Sequence, residues 1–318
     1  MTPMFLPSPG ISSFSLGPLT IHFYALCILA GIFAGWWLAR KRFVARGGEG
    51  DQMETIITVA VLVGIIGARL YHVVTDPQLF FGEGRNPWDA FKIWQGGLGI
   101  LGGVAFGAVA VLVMCRQRGY SFPSMADVIA PALLLAQGIG RLGNWFNQEL
   151  FGRPTTLPWG LQIDPDHRPR GYAQYETFHP TFLYEMLWNF AGVGVLIWAE
   201  RRFKLGHGRV FIAYLMWYAF GRFFIEGVRI DPANSAGGLR VNEWVSLTLF
   251  VVSLVVFVLL SRFRPGVVEH PFGEPSADKP DEDPVGGDES VADDPAEAES
   301  PEADEDDAPE PAPTKADD

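Results

Sequence analysis

The chain alternates between long apolar runs and short polar connections. Apolar runs lie near Leu19–Leu38, Ile56–Val74, Leu98–Met114, Val128–Phe146, Phe182–Ala199, Val210–Val228 and Val245–Leu260. Each has roughly 16–20 residues, close to the length a helix needs to cross the hydrocarbon of a bilayer. Only helices satisfy every backbone donor within such a segment, so the pattern predicts an all-α polytopic membrane protein with seven transmembrane helices. The first run reads as a span and not as a cleaved signal. It has no basic region before it, and Arg40, Lys41 and Arg42 follow it where a cleavage site would stand.

Charge sharpens this picture. The net charge is −12, but residues 266–318 hold 20 of the 36 acidic residues and only Lys279 and Lys315 among the bases. Residues 1–265 are therefore mildly basic, and an acidic soluble enzyme is excluded. The tail, rich in Pro, Glu, Asp and Ala, has too few apolar residues to bury a core and is expected to be disordered. Alternate connections carry 12 bases: Arg40, Lys41, Arg42 and Arg46, then Arg116 and Arg118, then Arg201, Arg202, Lys204 and Arg209, then Arg262 and Arg264. The opposite side carries seven, mostly in longer loops, among them Arg85, Lys92, Arg153 and Arg240. This bias places the N-terminus outside and the C-terminus in the cytoplasm. The organisation expected is a membrane body at 1–265 with an external loop at about 147–180, followed by the acidic cytoplasmic tail. Cys27 and Cys115 suggest neither a disulfide nor a metal site, and no nucleic-acid signature is present.

Arginine within an apolar segment is costly and faces a protein interior or a watery cavity. Arg69, Arg141 and Arg222 fall on three helices of the same direction, each about six residues before the exit, or roughly 9 Å deep. Tyr24 and Glu185 lie at matching depth on oppositely directed helices, and no comparable polar set is evident in the inner half. The expectation is one site in the outer half of the membrane. Gln137, Arg141, Asn144 and Gln148 follow helical spacing, as do Tyr218, Arg222, Glu226 and Arg229. Arg222 with Glu226 fits either a pair that holds the bundle together or part of the site. The setting of Arg69, after Gly67 and near Asp76, favours structure, and that of Arg141 favours function. The glycine-rich stretch Gly96–Gly103 allows close backbone approach. His72 reads as a packing residue, and His179 is open to either reading.

The stretch Gly140-Arg141-Leu142-Gly143-Asn144-Trp145-Phe146-Asn147-Gln148-Glu149-Leu150-Phe151-Gly152-Arg153 closely resembles the signature of bacterial prolipoprotein diacylglyceryl transferases. Further matches follow the family's order: Gly67-Ala68-Arg69-Leu70-Tyr71, Trp94-Gln95-Gly96-Gly97-Leu98, His179-Pro180 with Tyr184-Glu185, and Gly221-Arg222-Phe223 with Glu226. The resemblance covers roughly residues 15–265. It implies transfer of the sn-1,2-diacylglyceryl group of phosphatidylglycerol to the lipobox cysteine of an exported preprotein. A thioether forms and glycerol 1-phosphate leaves, without a cofactor or metal, at the bacterial plasma membrane. By the same resemblance Arg141, Arg222 and Glu226 are catalytic, and Arg141, Asn144, Arg222, Tyr24, Glu149 and Glu185 bind phosphatidylglycerol. Many members carry a histidine in the glycine-rich stretch where this chain has Leu101. A cysteine thiol of pKa near 8.5 is only a few per cent ionised at neutral pH. The arginine field, Glu226, Glu149, Tyr24 and His179 remain candidates for promoting its ionisation. The alternative from another class is a lipid or anion transporter with an arginine-lined pathway, which predicts polar residues in both leaflets and an inverted repeat.

Overall fold

In a computed structural model the described residues are 5–17, 19–82, 84–231 and 235–273. The chain begins with a β-hairpin of β1 (Ser13–Leu16) and β2 (Leu19–His22) and enters α1 (Phe23–Val44). Then come α2 (Gly50–Thr75), the single turn α3 (Gln78–Phe81), α4 (Ile100–Gln117), α5 (Phe122–Gly140) and the short α6 (Leu142–Phe146). A loop containing β3 (Leu161–Gln162) and β4 (Thr177–Phe178) leads to α7 (Thr181–Phe203) and α8 (Arg209–Val228). The pair β5 (Ser235–Ala236) and β6 (Leu239–Arg240) precedes α9 (Val241–Phe263).

Among the described residues the protein is thus mostly helical, with six spans long and apolar enough to cross a membrane, one of them α5 continued by α6. α8, also 20 residues long, falls short of that measure because Arg222 and Glu226 interrupt its apolar stretch. The all-α expectation omits three two-stranded antiparallel pairs. Their residues lie in connections, where turn chemistry outweighs helical periodicity. Leu19–His22 belongs to a strand and not to the first span, because it pairs antiparallel with Ser13–Leu16.

Small residues set the closest helix contacts. α2 packs on α4 where Gly67 faces Gly102, and a methyl on Gly102 would overlap the Gly67 carbonyl oxygen. That approach explains the glycine-rich sequence in the same way as small-residue helix pairs generally. α1 packs on α5 through Gly31 and Gly35 against Ala132 and Ala136. One apolar core joins α1, α2, α4 and α5 around Phe43, Met53, Ile56 and Met125. A second joins α5, α7 and α8 around Leu134, Leu196 and Val210.

The packed body continues past its expected limit at residue 265. After α9 the chain crosses to the first core, where Phe272 is 4% exposed and lies 4.4 Å from the ring of Phe43 and 5.6 Å from that of Tyr120. Ser121 N donates to Pro271 O at 3.0 Å, and Arg209 Nη2 donates to Gly266 O at 2.5 Å. The remainder of the acidic tail, with its expected disorder, lies outside the described residues.

A second polar cluster, at the opposite end of α1 from Tyr24, stands against the expectation that no comparable polar set occurs there. Arg42, about 27 Å along α1 from Tyr24, is buried. It donates to the carbonyls of Val128 and Asp127 and pairs with Glu200 at 2.9 Å. The Asp127 carboxylate accepts from the backbone N–H of Gly208 at 2.8 Å and of Phe211 at 3.0 Å, satisfying donors at the start of α8. Arg42 stands at a helix end, where a sequence reading assigns it to a loop. The hydrogen bonds of the cluster hold helix termini in place.

Candidate functional site

The N-terminal half of α1, the junction of α5 with α6, the start of α7 and the middle of α8 enclose a cavity of about 260 Å3. Tyr24, Gln137, Arg141, Asn144, Glu185, Asn189, Tyr218 and Arg222 form its polar wall. Ile28, Ile100, Trp188 and Ile225 add apolar surface, so the lining offers contacts to both a headgroup and hydrocarbon. A larger depression of about 480 Å3 lies along α9 between Val241 and Val252. Only α9 side chains line it, and none is charged. That surface suits lipid contact.

Helix geometry delivers the arginines. Gln137 and Arg141 stand four residues apart at the end of α5, and Tyr218 and Arg222 stand four apart on α8, so each pair shares one face. α5 ends at Gly140, and α6 resumes after Arg141. Gly143 lies against the Tyr24 ring, where a side chain would meet Cδ2 at 2.5 Å. The break keeps Arg141 on the cavity wall and lets α1 close over it.

Both arginines converge on one carboxylate. Arg141 Nη2 lies 2.5 Å from Glu185 Oε2, and Arg222 Nη1 lies 3.6 Å from Glu185 Oε1. Arg222 Nη2 also lies 2.7 Å from Glu226 Oε2. This is a charge contact without hydrogen-bond alignment, because that oxygen accepts no well-directed donor. Glu226 is 0% exposed. Its other oxygen meets Arg240 Nε and Asn242 Nδ2, each at 3.1 Å. Arg240 continues to Asp231, which pairs with Arg229. Burial raises the Asp231 carboxyl, but the Arg229 hydrogen bond and the charges of Arg229 and Arg240 outweigh it and hold it below the usual range.

This relay contains Arg141, Arg222, Arg240 and Arg229 against Glu185, Glu226 and Asp231. It therefore carries one positive charge in excess, open to the cavity at Arg141 and Arg222. A monoanion at that point would complete the alternation of charge. Buried ion pairs persist where each member is compensated, and in this relay the guanidiniums outnumber the carboxylates by one.

Of the residues singled out from sequence, Arg141, Arg222, Asn144, Tyr24 and Glu185 line the cavity together. Glu149 stands behind the wall. Its Oε1 accepts from Asn144 Nδ2 at 2.8 Å and from Asn147 Nδ2 at 3.3 Å. This fixes the Asn144 amide with Oδ1 toward Arg141 Nη1 at 3.5 Å. Glu226 also stands behind the wall and holds Arg222. Gln148 leaves the expected stripe. The helix ends at Phe146, Gln148 takes φ 48°, and its side chain pairs with Asp164 instead. Arg229 closes α8 and turns to Asp231.

Arg69 does not line the cavity. Its guanidinium donates to the carbonyls of Asp89, Ala90, Gly96 and Gly97 at 2.6–3.0 Å and pins the connection between α2 and α4. Leu101 is 64% exposed on α4 and is also absent from the wall. His179 sits in the loop before α7, with Nδ1 3.0 Å from the Tyr184 hydroxyl. Burial, then the charge of Arg153, push its imidazole below the usual range. The loop at about 147–180 has its own apolar core of Phe151, Leu161, Ile163, Phe178 and Phe182.

Three contributors escaped the sequence reading. Asn189 extends the α7 wall one turn beyond Glu185. Arg240 and Asn242 reach Glu226 from the start of α9. Arg240 reads in sequence as a loop charge, and only the β5–β6 turn brings it back. Asn189, at the fourth position after Glu185, carried a helical-spacing signal that was available.

Comparison with known proteins identifies the family. A family model described as prolipoprotein diacylglyceryl transferase matches residues 12–259. A phosphatidylglycerol–prolipoprotein diacylglyceryl transferase of Cutibacterium acnes is 55% identical over 257 residues, covering 81% of this chain and 87% of its own. Proteins of the same name from Paenarthrobacter aurescens and Corynebacterium glutamicum are 53% and 50% identical, covering 82% and 83% of this chain and 85% and 87% of their own. With most of the membrane body matched at this level, the chain belongs to the prolipoprotein diacylglyceryl transferase family.

Proposed function

We propose that this protein moves the sn-1,2-diacylglyceryl group of phosphatidylglycerol onto the lipobox cysteine of a preprotein, forming a thioether and releasing glycerol 1-phosphate. The observation that carries the reading is the cavity in which Arg141 and Arg222, from different helices, hold one uncompensated positive charge beside apolar surface. A phosphodiester monoanion supplies the missing negative charge. Two guanidiniums bind it bidentately and stabilise the further charge that grows on the leaving phosphate. Asn144, oriented by Glu149, and Tyr24 contact the headgroup. Glu226 and Arg240 keep Arg222 directed at it.

The described residues that line the cavity include no serine, threonine, cysteine or histidine to form a covalent enzyme intermediate. Direct attack by the substrate thiolate on the glycerol carbon fits this wall. The seven apolar runs support seven spans in the bacterial plasma membrane, α8 included, and the bias of basic residues supports an N-terminus outside and a tail in the cytoplasm. Lipid would enter sideways past Ile28, Ile100 and Ile225, and the tethered lipobox would arrive from the outer aqueous side. The 147–180 loop, built on its own apolar core, is suited to guide it.

The test is incubation of the purified protein with phosphatidylglycerol and a lipobox peptide, followed by mass spectrometry of the cysteine. A diacylglyceryl adduct is expected from the native chain and not from Arg141→Ala. Absence of the adduct from folded native protein, or undiminished transfer by R141A, would refute the assignment.

A further inference from the structure

We propose that Glu185 is the catalytic base that takes the proton from the substrate thiol, and that lipid binding makes it competent to do so. This rests on the transfer reading above and deepens it.

The cavity narrows the choice of base. Glu185, 7% exposed, is the one carboxylate among the described residues of its wall. Glu149 is engaged by Asn144 and Asn147 behind the wall, and Glu226 is enclosed among Arg222, Arg240 and Asn242. His179 does not line the cavity, and Leu101 is an exposed alkyl group. Tyr24 and Tyr218 do line it, but the group that joins the two guanidiniums is Glu185.

Position points the same way. A phosphate held by Arg141 and Arg222 lies beside the carboxylate that joins those two side chains. The carbon to be attacked is one oxygen away from phosphorus. A thiol approaching that carbon therefore comes within reach of Glu185, which meets the geometric requirement for a general base.

Charge then couples the two substrates. The titratable and charged groups facing Glu185 are Tyr24 from α1, Arg141 at the end of α5, and Tyr218 and Arg222 from α8. Without lipid, Glu185 bridges both guanidiniums, and its two oxygens are each turned to one of them. A bound phosphodiester takes over those guanidiniums and frees a carboxylate oxygen to accept the thiol proton. The thiol proton passes to Glu185 while the sulfur electron pair forms the C–S bond. The C–O bond to phosphate breaks with its pair on the phosphate oxygen, and that phosphate collects the proton from Glu185 as glycerol 1-phosphate leaves. No outside reagent is needed, and the lipid binds before the peptide is activated.

Glu185→Gln separates this role from a merely structural one. At pH 7 a thiol of pKa about 8.5 is about 3% ionised, so E185Q should lose about thirtyfold or more in kcat with a cysteine peptide. That loss should recover about tenfold per pH unit toward pH 8.5. The same lipobox peptide carrying selenocysteine is already ionised at neutral pH, so E185Q should transfer to it at close to the native rate. Equal losses on the two peptides, or a native-like pH profile with cysteine, would overturn the proposal. Glu185→Asp provides the same decision if E185Q does not bind phosphatidylglycerol: slowed transfer to cysteine with unimpaired transfer to selenocysteine supports the base, and equal slowing refutes it. Failure of the native protein on both peptides would instead refute the transfer reading itself.

Discussion

Ending the chain at Pro265, before the segment that returns to the first core, should destabilise the protein, whereas ending it at Gly273 should not. The ring of Phe272 is almost fully enclosed, against Phe43 and Tyr120. Deleting a buried phenyl group costs about 3 kcal/mol at the lower end of the range for such sites. The same truncation removes the carbonyls of Pro271 and Gly266 that satisfy Ser121 N and the Arg209 guanidinium, at about 1 kcal/mol each. The expected loss is about 5 kcal/mol, of which Phe272→Ala alone reproduces about 3. Unfolding in mixed micelles titrated with SDS measures both against the chain ended at Gly273. Equal midpoints for chains ended at Pro265 and Gly273 would show that the segment is not part of the folded body, and the packing argument would fail.

Glu226→Ala should cost about 3–5 kcal/mol, because it leaves Arg222 and Arg240 buried without their shared carboxylate; the SDS titration reads this directly. Gly102→Ala should cost about 1–3 kcal/mol by forcing α4 away from α2 at Gly67, whereas Gly140→Ala, with nothing within 4 Å of the added methyl, tests the same change without a clash. Glu149→Ala should raise the apparent KM for phosphatidylglycerol by about tenfold with a smaller effect on stability, since it frees the Asn144 amide. His179 has a folded-state pKa below 6.5, so protonation favours the unfolded loop. Its contribution to stability is complete above 6.5 and declines as pH falls below that value. His179→Gln should abolish this part of the acid-side loss, and an unchanged pH dependence would contradict it.

The membrane body was legible because its signals are long. Runs of apolar residues gave the positions of the helices, and Arg141 and Arg222 were conspicuous because arginine within such a run requires an interior partner. Helical spacing also placed Tyr218 with Arg222. It failed at Gln148, because periodicity carries no information on where a helix stops and the backbone turns left-handed two residues after Phe146. The hairpin before α1 was hidden because its second strand, Leu19–His22, runs directly into the helix at Phe23, although both strands alternate polar and apolar residues. Arg240 and Glu185 show a different limit. Each charge was visible, but their meeting with Glu226 and with both arginines depends on how α7, α8 and α9 pack. Arg42 read as a loop charge for the same reason: a helix end and a loop look alike in sequence, although this one is buried against a neighbouring helix terminus.

The most direct test of the central claim is the location of a bound phosphatidylglycerol headgroup, determined with the protein in nanodiscs containing that lipid. The account predicts phosphorus between the guanidiniums of Arg141 and Arg222, in hydrogen-bonding reach of both, with the acyl chains leaving past Ile100 and Ile225. A headgroup held elsewhere, for example against Arg69 and the α2–α4 connection, with the Arg141–Glu185–Arg222 bridge undisturbed, would contradict it.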